Sequence, residues 1–139
     1  MNFTIYNLAT GEILQSGQCQ DEDYDLQHIP ENCAIINLAS NCDNQYVDNL
    51  LVVDKPAKPT EFHVFDYEIK QWVPNFDIAA QNAKRQRNLF LYQSDWTQLP
   101  HNPLTPEKQQ QWAEYRQALR DITMQAQYPF QINWPLQPE

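Results

Sequence analysis

Residues 89–135 read LFLYQSDWTQLPHNPLTPEKQQQWAEYRQALRDITMQAQYPFQINWP, and this stretch decides the fold of the chain. It holds three of the four tryptophans, each beside charged or turn-forming residues: Trp96, Trp112 and Trp134. The pattern predicts the end of one helix, a proline-rich bend, a second helix and an extended return. The rest of the chain is interpreted outward from this arrangement.

The second helix has the strongest local signals. Thr105 is a natural N-cap, Pro106 suits the first helical position, and Glu107 favours the positive end of the helix dipole. Apolar side chains then recur at 3-4-3 spacing and form one stripe: Trp112, Tyr115, Leu119 and Ile122. We expect this stripe to face the core.

The first helix is predicted from about Phe76 to about Ser94, with Asn75 or Asp77 as its N-cap. Its first half, residues 78–88, is polar with small residues, so we expect it to project from the body. Its apolar end is expected to pack against the stripe of the second helix, giving an αα-hairpin, through Leu89, Phe90 and Tyr92. Three prolines then form a bend that cannot be helical: Pro100, Pro103 and Pro106.

The C-terminal tail cannot continue as helix past Pro129. Phe130, Ile132 and Trp134 alternate with polar residues, which predicts an extended segment with one face along the helix pair. Burying three anchors of this size contributes on the order of 2 kcal/mol each. We therefore expect the tail to be part of the fold.

The front half has the patterns of short strands. Residues 2–18 predict a hairpin with Phe3, Ile5 and Leu8 inward and with Gly11 in a turn that needs positive φ. Residues 34–38 predict a buried strand, residues 46–53 a strand pair or one bent strand, and residues 61–73 a second clear hairpin. The fold class is therefore α+β: a small antiparallel β meander over 1–74, and an α-helical hairpin with an extended C-terminal tail over 75–139.

The charge of the chain is acidic and uneven, with a formal net charge of −9. Residues 1–73 carry twelve Asp and Glu against three Lys, whereas residues 74–139 carry six of each sign. This balance argues against nucleic acid or an anionic membrane as partners. The acidic half is either a solvated surface or a docking face for a basic partner. The N-terminus has no basic region before an apolar run, so we expect no signal peptide, and no stretch is apolar enough for a membrane helix.

Motifs that carry chemistry are largely missing. Two glycines cannot make a phosphate loop, and neither His63 nor His101 has a neighbouring nucleophile. Cys19, Cys33 and Cys42 with His28 have spacings that fit no zinc pattern, so we expect free thiols and no metal or other cofactor. The acidic run 21–25 lacks the glycine and terminal glutamate of a calcium loop. The small basic patch 84–87 lacks the aromatic residues of a nucleic-acid site.

Arg116 and Arg120 lie one helical turn apart, where like charges repel slightly. We expect Asp95, Asp121 or carbonyls of the bend to balance them. The arginines either tie the bend and the tail to the hairpin or contact a partner. The tryptophans have the same two interpretations, because Trp and Arg are common both in cores and at interface hot spots.

These residues also resemble a known family. The string LYQSDWTQLPHNPLTPEKQQQWAEYRQALRDI, followed by PFQINWPLQP, resembles the C-terminal domain of phage tail assembly chaperones. The matching positions follow the pattern SDWTQLP, PL, W-x-x-YRQ-x-LRD and WP: Ser94, Asp95, Trp96, Thr97, Leu99, Pro100, Pro103, Leu104, Trp112, Tyr115, Arg116, Leu119, Arg120, Asp121, Trp134 and Pro135. His101 stands where Asp is usual, and Thr123-Met124 replaces a proline-containing turn. Residues 1–73 look like small β domains of tail-fibre and fibre-assembly proteins.

The resemblance implies a non-enzymatic phage or prophage protein that acts in the bacterial host cytoplasm. It would bind a tail or tail-fibre subunit and assist its folding or assembly, with a homo-oligomer left open. The residues that the resemblance and the Trp/Arg pattern single out for partner binding are Asp95, Trp96, Trp112, Tyr115, Arg116, Arg120 and Trp134. The alternative is a structural virion component, a short tail-fibre or tail-tip protein. An enzyme acting on host glycans has the least support, since no carboxylate pair stands out.

Overall fold

The computed structural model describes residues 1–139, of which 32% are helical and 23% lie in strands. The strands are antiparallel and precede two helices, which confirms the predicted α+β class. Contacts within the chain define two units, Met1–Pro74 and Asn75–Glu139. Each unit has its own cluster of buried apolar side chains.

The first unit opens with a three-stranded sheet made of β1 (Asn2–Asn7), β2 (Ile13–Gln18) and β3 (Cys33–Ile36). β1 is central and pairs antiparallel with both neighbours. It is buried on both faces, at Phe3, Thr4, Ile5 and Tyr6. The Thr4 hydroxyl is satisfied, since it lies 2.8 Å from the Leu38 carbonyl and 2.7 Å from the Ser40 hydroxyl. The expected inward position of Leu8 is wrong: Leu8 follows the end of the strand and is 60% exposed.

Gly11 closes the β1–β2 hairpin at a φ of 73°, as its position in the sequence predicted. Its carbonyl accepts a hydrogen bond of 2.8 Å from the backbone N–H of Val47. Val47 in turn packs with Tyr6 and Ile13 in the core of the unit. The turn therefore brings the first hairpin against β4 (Gln45–Asp48).

Two further hairpins complete the first unit. β4 pairs with β5 (Leu51–Asp54), and β6 (His63–Asp66) pairs with β7 (Gln71–Pro74), both antiparallel. The strands form three separate sheets, and β3 returns to β1. The strands therefore do not follow one another as neighbours in the meander that the sequence predicted. The central strand β1 is buried on both faces, whereas most of the edge strand β2 is exposed.

All three lysines of the first unit lie over aromatic rings. Lys55 lies 4.9 Å from the ring centroid of Tyr67, Lys58 lies 5.3 Å from that of Trp72, and Lys70 lies 4.9 Å from that of Tyr46. Lys55 also donates to the carbonyls of residues 42 and 43, and Lys70 to the carbonyl of residue 10. These contacts hold the later hairpins and their loops together.

The second unit contains α1 (Phe76–Gln93) and α2 (Pro106–Arg120). The Asn75 side chain accepts from the N–H of Ile78 at 3.0 Å, so Asn75 is the N-cap of α1. The Thr105 hydroxyl accepts from the N–H of Lys108 at 3.3 Å, and Pro106 is the first residue of α2. Both caps were among those that the sequence predicted.

The inner face of α1 differs from the prediction. Ala79, Ala80 and Ala83 are buried, so the first half of α1 does not project from the body. Leu89 and Tyr92 are 47% and 77% exposed and do not pack on α2. The reason is helical phase: side chains are spaced by about 100°, so the face that buries the alanines continues to positions 90 and 91. Phe90 and Leu91 are the residues that contact the core of α2.

The tail lies on the helices, as expected from its apolar residues. Trp134 packs against the core, with its ring centroid 5.4 Å from that of Phe90. The Gln125 side chain exchanges two hydrogen bonds with the backbone of Asn133, at 2.9 and 2.8 Å. Phe130 is 45% exposed and touches only the rim of the unit, through an edge contact. None of the helices is both long enough and apolar enough to cross a membrane.

Candidate partner-binding site on the helical unit

The site is built around the apolar stripe of α2. Trp112, Tyr115 and Leu119 are buried together, and Ile122 continues the stripe in a 3-10 turn that follows the helix. Side chains from α1, the bend and the tail complete this cluster: Phe90, Leu91, Leu104 and Trp134. The predicted stripe is thus confirmed, and it anchors every segment of the second unit.

Arg116 is the polar centre of the cluster and is only 7% exposed. Its Nη1 atom donates to the Leu91 carbonyl and to the Ser94 hydroxyl, both at 2.7 Å. Its Nη2 atom donates to Asp95 Oδ1 at 2.8 Å. The guanidinium therefore binds the exposed carbonyl end of α1 and the turn after it, where a cation is also favoured by the helix dipole.

Ser94 and Thr97 belong to this arrangement, although neither was among the predicted site residues. The Ser94 hydroxyl donates to the Phe90 carbonyl at 2.9 Å and accepts from Arg116. The Thr97 hydroxyl donates to the Ser94 carbonyl at 2.7 Å. Both residues are almost fully buried. Their place in the SDWT string, at the predicted end of α1, was the available signal, because hydroxyls there satisfy free carbonyls.

The seven predicted site residues divide by exposure. Trp112, Tyr115 and Arg116 are buried, and Trp134 is half-buried. Three are open to solvent: Asp95, Trp96 and Arg120. Ring contacts join Trp96, Trp112 and Tyr115, and hydrogen bonds join Arg116 to Asp95. Trp134 packs on the same apolar cluster. We call these six residues the Trp/Arg network, and Arg120 lies outside it.

Trp96 and Arg120 are the exposed members that stand out. Trp96 is 44% exposed, and its ring lies 5.8 Å from that of Trp112 in an edge-to-face contact. Arg120 has no acidic partner, because Asp121 instead accepts from the Gln117 side chain at 3.0 and 3.1 Å. The expectation that Asp95 or Asp121 balances the arginines holds for Arg116 with Asp95 but not for Arg120.

Two groups on α2 have shifted pKa values. Burial raises the pKa of Tyr115, because desolvation disfavours the phenolate. The pKa of Glu107, in the first turn of α2, is lowered. The main cause is a hydrogen bond from its own backbone N–H, and the second is one from the Thr105 hydroxyl. The tyrosine is thus a neutral hydroxyl, and the glutamate a carboxylate, over the ordinary pH range.

The surface of this unit includes a groove between α2 and the tail. Its walls are residues 111–118 of α2 and residues 135–138 of the tail, and its volume is about 460 Å³. We call it the tail groove. Lys108 holds the far end of the tail, since its Nζ atom donates to the Glu139 backbone carbonyl at 2.8 Å.

The side chains of the site are mainly aromatic and apolar, with one buried arginine. No group of three or more His, Cys, Asp or Glu side chains lies close enough to hold a metal ion, and the three cysteines are free thiols. The rigid features are aromatic rings, an arginine and a groove, which are the usual components of a protein-binding surface. The fold is that of a small α+β protein whose C-terminal unit contains two helices.

Comparison with known families finds one similarity. The sequence model of the family described as phage tail assembly chaperone protein matches residues 80–139. The match agrees with the resemblance, and it lies within the C-terminal unit and covers less than half of the chain. It supports a role in phage tail assembly and points to a non-enzymatic one. No curated protein and no solved structure matches the chain significantly.

Proposed function

We propose that the protein is a tail or tail-fibre assembly chaperone that acts without catalysis in the bacterial host cytoplasm. It binds a phage tail or tail-fibre subunit and assists the folding or assembly of that subunit. One observation carries the proposal: the family match at 80–139 covers the residues that build the Trp/Arg network. Nothing in this function requires a cofactor.

The binding surface that we propose consists of Trp96, Arg120 and Asp95, supported from beneath by the buried members of the network. Trp96 rests on Trp112, which limits the freedom that its ring loses on binding. Arg120 presents an unpaired guanidinium suited to a carboxylate or a carbonyl. In this proposal Trp112, Tyr115 and Arg116 serve mainly to position the exposed side chains.

We also propose that residues 1–74 and 75–139 act as separate domains, with the acidic β domain as a second binding surface. Residues 1–73 carry twelve Asp and Glu against three Lys, so the carboxylates dominate the outward field. Such a field favours a basic region of the client. Binding through this domain should weaken as salt is added, because exposed charges are screened.

The function is tested by co-expressing the tagged full chain with the tail and tail-fibre genes of the same phage. Mass spectrometry then identifies captured subunits and measures the chain in purified virions. Capture of one subunit, with the chain absent from virions, supports a chaperone. A fixed ratio in virions supports the structural alternative instead, and capture of no tail protein contradicts both.

Variants locate the surface. Trp96→Ala and Arg120→Ala should each weaken the affinity for the captured subunit about 30-fold, since hot-spot truncations at interfaces cost about 2 kcal/mol or more. Met124→Ala is the matched control, because Met124 is 83% exposed and apolar but lies outside the proposed surface. Unchanged capture by both test variants would move the interface elsewhere on the chain.

A further inference from the structure

The tail groove has features of a built binding site. The tail is fixed at both ends, by Trp134 in the core and by the Lys108 contact with Glu139. Between these anchors Pro135 and Pro138 line the groove, and proline restricts the backbone of the wall that they form. A groove of about 460 Å³ is within the range of sites that accept a few side chains.

One wall carries a hydroxyl without a partner. Tyr115 lines the groove and is only 7% exposed, yet its hydroxyl makes no hydrogen bond within the protein. Among fully buried polar side-chain atoms, only Arg116 Nε lacks a hydrogen-bond partner. The Tyr115 hydroxyl is therefore not fully buried and keeps some access to solvent. This hydroxyl can be hydrated while the groove is empty, and it can donate to an acceptor that enters the groove.

The other wall offers apolar contact. Leu136 lies between the two prolines and is 93% exposed, although the residues on either side of it hold the tail in place. Ala118 lines the opposite wall and leaves room beside the leucine. An apolar side chain in the groove would remove Leu136 from water without moving the tail.

The charge of the groove has one sign. Glu114 lines it, and no lysine or arginine does. The Glu114 carboxylate accepts only from the neutral Gln110 side chain, at 2.9 Å, so its charge is not neutralised by an ion pair. A ligand with a positive charge beside its apolar side chain therefore fits better than an acidic one.

We propose that the tail groove binds an extended segment of the client, with an apolar side chain against Leu136 and a neighbouring Lys or Arg near Glu114. A backbone carbonyl of that segment accepts a hydrogen bond from the Tyr115 hydroxyl. This inference rests on the proposed function, because it names the part of the tail subunit that the chaperone recognises. An extended segment suits the groove because the groove is open to solvent and runs between α2 and the tail.

The test uses the full chain and overlapping synthetic peptides that cover all tail proteins encoded by the same phage. Fluorescence anisotropy measures their affinities. Peptides with an apolar residue beside Lys or Arg should bind best, and replacing that basic residue by Glu should weaken binding. Tyr115→Phe removes only the hydroxyl, and the bound segment should lose about tenfold in affinity, the loss expected for one hydrogen bond of about 1.4 kcal/mol.

Two more variants test the other contacts. Leu136→Ala should also weaken peptide binding about tenfold, because the truncation removes apolar contact area. Glu114→Gln should weaken it less and should reduce its dependence on salt. Met124→Ala, which changes an exposed apolar residue away from the groove, should bind as the unchanged protein does. Urea unfolding of each variant checks that the fold is retained.

The outcomes separate this inference from the function on which it rests. If a tail subunit is captured but no peptide binds, or if Tyr115→Phe and Leu136→Ala leave binding unchanged, the groove proposal is wrong and the chaperone proposal stands. If no tail protein is captured and no peptide binds, both are wrong. Self-association of the full chain that Tyr115→Phe and Leu136→Ala both abolish would show a second copy in the groove and would also overturn the proposal.

Discussion

The Nη2 atom of Arg116 lies 2.8 Å from Oδ1 of Asp95, although the two partners differ greatly in exposure. The side chain of Arg116 is 8% exposed, whereas that of Asp95 is 60% exposed. An ion pair with one partner in water contributes little to stability. The hydrogen bonds of the same guanidinium to Leu91 and Ser94 are more sheltered, so they should stabilise the unit more than the ion pair does.

The difference in exposure predicts that replacing Arg116 destabilises the protein more than replacing Asp95 does. Arg116→Ala should reduce the free energy of unfolding by about 2–4 kcal/mol, because it removes two sheltered charge-assisted hydrogen bonds at the end of α1 together with the packing of a buried side chain. Asp95→Asn should cost less than about 1 kcal/mol. Urea unfolding followed by tryptophan fluorescence measures both, since three of the four tryptophans are in this unit. An equal cost for the two changes would mean that the ion pair dominates.

Much of the fold was predictable because local rules agreed with tertiary packing. The caps of α1 and α2 and the stripe of α2 are local patterns, and the structure confirms them. The inner face of α1 was not predictable from apolar residues alone. Ala79, Ala80 and Ala83 carry little hydrophobic signal, but their small side chains allow close approach, so they set the phase of the helix and leave Leu89 outside.

Gly11 gives a second prediction, in the first unit. Its φ is 73°, and a Cβ at this position would lie 2.0 Å from the Val47 carbonyl oxygen. Gly11→Ala should therefore cost more than about 2 kcal/mol, through left-handed strain and displacement of β4. Hydrogen exchange should become faster at the Val47 amide, which donates to the Gly11 carbonyl.

Gly17 supplies the matched control for that change. A Cβ there would lie 3.1 Å from atoms of the Phe3 ring, a side chain that can shift, and its φ is not positive. Gly17→Ala should cost clearly less than Gly11→Ala in the same urea unfolding experiment. A Gly17 variant as unstable as the Gly11 variant would show that the turn is not the special position.

The sequence indicated which helix carries the aromatic and arginine side chains, but it did not indicate which of them are exposed. Conventional pattern analysis places Trp112, Tyr115 and Arg116 on one helix, but it does not separate a buried arginine from an exposed one. That distinction depends on Ser94, whose hydroxyl is close enough to pair with the guanidinium at 2.7 Å. The tail groove was not predictable for a similar reason, because it exists only once the tail is fixed against α2.

The raised pKa of Tyr115 predicts a change in stability at alkaline pH. The unfolded tyrosine ionises near its ordinary pKa of 10.0, whereas the folded one keeps its proton to a higher pH. Above about pH 10 the unfolded state thus binds fewer protons, and stability falls as pH rises. Tyr115→Phe should unfold like the unchanged protein below this range and should lose less stability above it. Urea unfolding across the range measures the difference, and parallel curves for the two proteins would contradict the assignment.

Trp134 provides the last prediction, which tests whether the tail belongs to the fold. Its ring packs edge-on against Phe90 and is half-buried, so Trp134→Ala should cost about 2–3 kcal/mol, below the range for a fully buried tryptophan. Limited proteolysis should then cut the tail faster, and binding of peptides to the tail groove should be lost with its wall. Leu136→Ala should leave stability and proteolysis unchanged, because Leu136 is 93% exposed. A tail that is cut at the same rate in both variants would show that Trp134 does not hold it.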